Sequence, residues 1–330
     1  MATVSVVCCA FTMKRWDQIL LCLEGIGSQT RKPDEIILVS DHADDVYNAF
    51  VETNVGEVYE NRLRQGVAGA RNTGWQAAKG DIVAFLDDDA HPEEHWLEKL
   101  VAPIEENPHV AAAGGWIEPT GDNVPAWYPK EFYWVFGCSW AGLAGRKTLR
   151  NPIGASMAWR RSTLETVGGF TTEIGRSWES PLSADTGVAA EATTDRQFAG
   201  LYGCEETIAG MQARAAGNII FHAEDSVAYH YVGTERACLR YLMKRCWGEG
   251  MSKEFAQYIS GQRLADESRH VFRILWSLGR YSVRRGGWRS VEFSVVGLCW
   301  TTAGFLYGRA CRIRGARGYP ARAVWTVPGR

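Results

Sequence analysis

Asp87, Asp88 and Asp89 stand together at the end of an apolar run, Asp81-Ile82-Val83-Ala84-Phe85-Leu86, and they are the residues of this chain best placed to do chemistry. The run reads as a buried strand, so the three carboxylates would leave a sheet at its carboxyl edge, where open α/β sheets bind ligands. Charge concentrated in that way calls for a cation. Mg²⁺ and Mn²⁺ take oxygen ligands and bind through one or two carboxylates, with phosphate oxygens completing the shell. A diphosphate could be neutralised there. Taken alone, an acidic triplet also serves as a helix cap or a solvated turn, so its surroundings have to decide. A second acidic pair, Glu205-Glu206, opens a helical stretch ending at Arg214-Ala215-Ala216-Gly217, and carboxylates at that place complement a helix N-terminus.

The elements that must position these groups can be read from periodicity. Val4 to Ala10 and Glu35 to Val39 are apolar runs of strand length, and Trp16 to Ile26 between them carries apolar residues at helical spacing. The second strand ends in Ser40-Asp41-His42, a polar group at a carboxyl edge. Gly66 to Lys79 reads as a helix stopped by Gly80, just before the strand that carries the aspartates. Pro92 is expected to open a helix over Glu93 to Glu105, and Val110 to Ile117 returns as a strand. This alternation predicts an α/β fold with a mostly parallel sheet flanked by helices. From Thr120 to Arg150 the pattern gives way to a loop-rich stretch dense in Trp, Tyr and Phe, of a length usually associated with function. Residues 175–200 are small and polar and read as an exposed insertion.

After Thr234 the chain changes character. Cys238 to Lys253 and Val271 to Arg285 look helical and basic, and Phe293 to Gly308 holds no charged residue. That uncharged stretch falls short of the roughly 20 residues a spanning helix needs. Arg284, Arg285 and Arg289 flank it on one side and Arg309, Arg312 and Arg314 on the other. Two readings follow: attachment to an anionic membrane face, or a buried helix packed on the preceding domain.

Composition narrows the classes of partner. With 36 basic and 38 acidic residues and a formal charge of -2, the chain offers no electrostatic ground for binding nucleic acid. Nine cysteines, an odd number without a CxxC pair and partly inside apolar runs, predict reduced, buried thiols and neither a disulfide framework nor a structural zinc site. Met1 leads directly into an apolar β-branched run, without the basic start and cleavage site of a secretory signal, so a cytoplasmic location is expected.

The stretch from Gly66 through Ala70-Arg71-Asn72, Gly80-Asp81 and the buried strand to Asp89 closely resembles the nucleotide-binding half of family 2 glycosyltransferases, which have the GT-A (Rossmann-like) fold. The likeness extends over about Val4 to Val232. It implies a catalytic domain over residues 1–233, with a nucleotide-binding half at about 1–117 and an acceptor half at about 118–233, and a helical, basic extension over 234–330. It also implies an inverting, metal-dependent transfer of a sugar from a nucleoside diphosphate sugar, a UDP-sugar in the first place, to a hydroxyl acceptor. On the same likeness Ala10, Phe11, Thr12 and Asp41 would hold the nucleoside, Asp41 either accepting a hydrogen bond from the base or capping a turn. Arg71 would reach the nucleotide phosphates or form a structural ion pair with an aspartate. Asp87 and Asp88 would meet the nucleotide sugar, and Asp87, Asp89 and His230 would hold Mg²⁺ or Mn²⁺, a strand or loop histidine satisfied within the protein being the other reading for His230.

Glu206 occupies the position of the family's general base, with Glu205 beside it as the second candidate. An inverting transfer needs such a carboxylate within reach of the attacking hydroxyl, while metal and phosphate sit on the other face. Lys244 to Gly250, with Arg245 and Trp247, is similar to an Arg-Trp element of membrane-linked relatives that lies near the diphosphate and acceptor; a basic helix face is the alternative. Together with Gly175-Arg176 and Cys204 to Thr207, it is similar to prokaryotic members acting on lipid-linked or membrane-associated acceptors, which would place the protein at the inner face of the cell membrane.

Two other classes fit parts of this pattern. A nucleotidyltransferase shares the sheet and the acidic metal site, but it usually carries a glycine-rich loop after its first strand, and Ala10 to Arg15 holds no glycine. A non-catalytic sugar-nucleotide-binding protein would not need both acidic sets.

Overall fold

The computed structural model describes residues 1–120, 124–172, 203–261, 265–283 and 287–315. The insertion expected at 175–200, with Gly175-Arg176, lies outside the described residues.

A run apolar except for one serine suits a strand covered on both faces, and β1 (Val4–Ala10) lies well inside the sheet. It pairs in parallel with β2 (Glu35–Ser40) on one side and β4 (Ile82–Asp87) on the other, and β3 (Glu57–Glu60) adds in parallel to β2. With β5 (Ala90–Pro92), β6 (Val110–Thr120), β7 (Ser156–Arg160) and β8 (Ile219–Tyr231), these make an eight-stranded sheet in the order β3-β2-β1-β4-β7-β6-β8-β5. β7 runs antiparallel to both β4 and β6, β8 parallel to β6, and β5 antiparallel to β8. The parallel sheet read from periodicity is thus its first half; the second half is mixed.

Side chains alternate across this sheet. Val4, Val6 and Cys8 pack with α1 (Trp16–Gly27), α2 (Asp44–Thr53) and α4 (Trp96–Glu106). Val7, Val83 and Phe85 face α3 (Val67–Ala77), α5 (Arg161–Val167) and α6 (Glu205–Ala215). Each such side chain, fully buried, contributes about 1.5–3 kcal/mol.

Pro92 does not open a helix. It closes β5, where Ala90–Pro92 pairs with Ala228–His230, and the Glu93 N–H still donates to the Val227 carbonyl at 3.0 Å. Strand pairing therefore keeps the chain extended through Glu93, and α4 begins at Trp96.

The aromatic stretch expected as loop is a third core. Tyr128, Phe132, Val135 and Phe136, on and before a 3₁₀ helix at Lys130–Phe136, pack with Ile117 of β6 and with residues of α7 (Leu239–Ser260), α8 (Ala265–Ser282) and α9 (Trp288–Ile313). α7 and α9 touch backbone to backbone: a Cβ on Gly250 would strike the Thr301 carbonyl, and one on Gly304 the Trp247 carbonyl. Packing on α7 thus accounts for one face of the uncharged Phe293 to Gly308 stretch. Among the described residues no helix is long and apolar enough to cross a membrane.

Candidate active site

β4 carries Asp87 to the carboxyl edge of the sheet, and the chain turns through Asp88 and Asp89 into β5. Because β5 pairs with the end of β8, Ala90 lies opposite His230, and the Tyr231 N–H donates to the Asp89 carbonyl at 2.8 Å. That pairing sets the imidazole against the acidic turn, with His230 Nε2 at 3.0 Å from Asp89 Oδ1. The ligand atoms of Asp87, Asp89 and His230 all lie within 4.8 Å of one another. Two carboxylates and an imidazole form a donor set that Mn²⁺ and Mg²⁺ accept. His230 Nδ1 is buried without a hydrogen-bond partner among the described residues, and the Cys138 thiol interacts with the same ring. These residues fit a divalent ion.

Cations of the protein crowd the same turn. Arg15, at the start of α1, places Nη2 at 3.0 Å from Asp88 Oδ2 and pairs through Nη1 with Asp89, while Arg236 stands 3.6 Å from Asp89. Burial opposes charge on Asp89, yet His230 and Arg15, with Arg236 further out, hold its carboxyl well below the usual range. Burial pushes Asp88 the other way; Arg15 offsets this only in part against Asp89 and Asp87, and the carboxyl rises to about 7. For His230 burial again opposes charge, and Asp89 outweighs it, so the imidazole titrates well above its ordinary value.

Arg71 joins this turn to the second acidic set. Its Nη2 lies 3.0 Å from Asp87 Oδ1 and its Nη1 3.4 Å from Glu205 Oε1. Burial of the guanidinium is outweighed by Asp87, Glu205 and Glu206, which keep it charged. Gly154 makes room for it, since a Cβ there would collide with the guanidinium. The next residue, Asn72, donates to the Phe170 carbonyl at 2.6 Å and accepts the Phe170 N–H at 2.9 Å, which pins α3 to the chain that follows α5. Glu205 is buried at the first turn of α6, and Glu206 beside it is half-buried.

The proposed nucleoside edge lies across the sheet. Asp41, buried at the end of β2, accepts from Asn61 Nδ2 at 2.6 Å, the Gly66 N–H at 2.9 Å and His42 Nδ1 at 3.0 Å. Its carboxylate thereby orders the loop that leads into α3. Ala10 is the buried end of β1; Phe11 stacks under the Arg15 guanidinium at 5.1 Å, and Thr12 accepts from the Lys14 N–H at 3.3 Å.

Trp247 packs on Trp300 and Tyr307 of α9 with ring centroids at 5.7 and 5.2 Å. Arg245 Nε donates to the Val135 carbonyl at 3.2 Å. Sequence reasoning passed over Arg15 and Arg236. The signal for the first was its place in the loop after β1, at the same sheet edge as the aspartates; for the second, only a basic residue soon after His230.

Comparison with known proteins agrees with this geometry. Residues 5–168 match Glycosyl transferase family 2. The chain is similar to glucosyl-dolichyl phosphate glucuronosyltransferase of Haloferax volcanii, at 32% identity over 188 residues that cover 55% of this chain and 60% of that protein. It is also similar to glycosyltransferase AglE of Haloferax volcanii, at 31% identity over 120 residues, 34% of this chain and 37% of the relative. The alignments thus span less than two thirds of either relative's length. Among solved structures, the mannosyltransferase PcManGT from Pyrobaculum calidifontis, in complex with GDP-Man and Mn²⁺, superposes with a TM-score of 0.59 at 16% identity, over 93% of this chain and 87% of that one. At that identity the likeness shows the fold, GT-A.

Proposed function

Residues 5–168 belong to glycosyl transferase family 2, and from that premise we propose that the chain is an inverting, metal-dependent glycosyltransferase that moves a sugar from a nucleoside diphosphate sugar to the hydroxyl of a lipid-linked acceptor. The observation that carries this reading is the Arg71 bridge: the acidic turn after β4 and the acidic start of α6 contact one guanidinium, and we take them to border one cleft. We assign residues 1–233 to catalysis, with the C-terminal helices as an extension. The lipid-linked acceptor draws support from the glucosyl-dolichyl phosphate glucuronosyltransferase relative. A UDP-sugar is the donor we favour, with Asp41 as the proposed partner of the base.

Asp87, Asp89 and His230 would hold Mn²⁺ or Mg²⁺, which when bound supplies positive charge for the departing diphosphate. Glu205, buried and held by Arg71, fixes the start of α6, whereas Glu206, half-buried at the neighbouring position, meets the acceptor. A Glu206 oxygen takes the acceptor hydroxyl's proton while the hydroxyl oxygen bonds to the anomeric carbon. The bond from that carbon to the diphosphate breaks on the opposite side, and configuration inverts. Asp88, Arg15 and Arg236 line the edge where the diphosphate would lie.

The test is direct. Purified chain given Mn²⁺, a panel of sugar nucleotides and polyprenyl-phosphate-linked sugars should release nucleoside diphosphate and form a product of inverted anomeric configuration by NMR. Pyrophosphate release from a nucleoside triphosphate, with no sugar transfer, would instead identify a nucleotidyltransferase.

A further inference from the structure

α8 turns an apolar face outward. Phe272, Leu275 and Trp276 recur at helical spacing along one side of it and are 67%, 55% and 69% exposed, and Val283, just past its end, is 84% exposed. The opposite side is fastened to the protein. Ile274 and Ser277 are buried, Tyr281 Oη donates to Glu131 at 2.8 Å, and His270 packs edge-on against Trp140 with centroids 4.4 Å apart. The outward face is therefore a fixed surface on the aromatic core. An apolar stripe of this kind on a soluble protein marks a contact with something else.

Charge identifies the occupant. Arg269, Arg273 and Arg280, all exposed, follow one another along the flank of the stripe. From Arg269 to Val291 the sequence holds six arginines and neither Asp nor Glu, the nearest acidic residues being Asp266 and Glu267 at the start of α8 and Glu292 beyond the run, although the whole chain is acidic by two charges. Just past α8, Trp288 is 63% exposed, and Arg289 stacks over it at 5.4 Å. A helix lying in a bilayer interface has this composition: Trp, Phe and Leu enter the acyl boundary, and arginine stems run along the apolar surface to reach lipid phosphates. We infer that the outward face of α8 docks the protein on an anionic lipid bilayer, lying in the headgroup layer without crossing it.

The placement suits a reaction on a lipid-borne acceptor. Glu131, which holds α8 through Tyr281, lies in the 3₁₀ helix Lys130–Phe136, and that helix leads into Gly137 and Cys138 beside His230. One short platform thus connects the docking face to the acidic edge. Bilayer binding itself requires no sugar nucleotide, so its test is separate from that of the proposed reaction.

The experiment is flotation of the full chain with vesicles of phosphatidylcholine plus phosphatidylglycerol, and with phosphatidylcholine alone. The chain should float with the anionic vesicles and release at high salt. Phe272→Ser combined with Trp276→Ser should lower the bound fraction about tenfold or more, and Arg269→Gln with Arg280→Gln should remove the preference for anionic lipid. Leu306→Ser, an exposed apolar residue on α9, should leave binding unchanged, and near-UV circular dichroism should match the parent for every variant. Failure of the parent chain to float, or equal flotation of the Phe272/Trp276 variant, overturns the inference. So does a dimer in light scattering that the same variant converts to monomer, which would assign the face to a second copy of the chain.

Discussion

Asp87 and Glu205 share one guanidinium. Arg71 reaches the first at 3.0 Å with one nitrogen and the second at 3.4 Å with the other; the Glu205 pair is buried on both sides, while the Asp87 side chain is 35% exposed. A planar fork can hold two carboxylates at a set spacing, and an ammonium cannot. The bridge therefore sets the distance between the two carboxylates.

Arg71→Lys keeps the charge and loses the fork. We expect a folded protein whose kcat for sugar transfer falls about 10–100-fold through misplacement of α6 against the acidic turn. Arg71→Met takes the guanidinium away from buried Glu205 and should cost about 3–5 kcal/mol in urea unfolding. An Arg71→Lys variant with parental kcat would show that the bridge does not govern the geometry.

The two adjacent glutamates should separate by the measurement they affect. Glu206→Gln removes the proposed proton acceptor, so kcat should drop about 10²–10⁴-fold while the KM for the sugar nucleotide and the melting temperature stay near parental values. Glu205→Gln should act mainly on the melting temperature, because it weakens a buried ion pair. If the larger loss of kcat followed Glu205→Gln, the two roles would have to be exchanged.

Asp89 accepts from Arg15 and His230 and is approached by Arg236. Asp89→Asn takes away a proposed metal ligand and the charge that balances these cations. Mn²⁺ affinity, followed by electron paramagnetic resonance, should weaken about 100-fold or more, since even partners of metal ligands are worth 10–100-fold. Removal of divalent ions by a chelator should abolish nucleoside diphosphate release by the parent chain, and added Mn²⁺ should restore it. Unchanged Mn²⁺ binding by the variant would exclude Asp89 as a ligand.

How much of this was legible in sequence follows from which forces set each element. β1, β2 and β4 announce themselves because they are covered on both faces and therefore mostly apolar. β5 does not, being a strand only because β8 pairs with it, and Pro92 at its end carries the local signature of a helix start. The same pairing brings His230 to Asp89, so local pattern could not predict the contact, and the histidine was found through family likeness. The aromatic stretch after β6 lacked a period because its side chains pack irregularly between the sheet and three helices. In the C-terminal region the uncharged stretch drew attention to α9, yet the more exposed apolar face belongs to α8, where arginines dilute the apolar signal.

A last prediction concerns the edge of the fold far from the cleft. Glu105, at the end of α4, accepts from Arg31 Nη1 at 2.7 Å and Nη2 at 3.0 Å, and from the Ala2 N–H at 2.7 Å, so it ties α4 to the start of β1. The Arg31 hydrogen bonds hold its carboxyl below the ordinary value of 4.5, against a smaller opposing effect of burial. A carboxyl depressed in the folded state is more readily ionised there than in the unfolded chain. Its stabilisation is therefore fully present above the unfolded value and fades as pH falls through the folded one. Both side chains remain partly solvated, at 15% and 21% exposure, so screening limits the pair to about 1 kcal/mol. Glu105→Gln should lower the urea midpoint at pH 7, and the difference from the parent should shrink progressively in buffers below pH 4.5. A difference that stayed constant across that range would show that the contact stabilises through packing and neutral hydrogen bonding, with no contribution from the carboxylate charge.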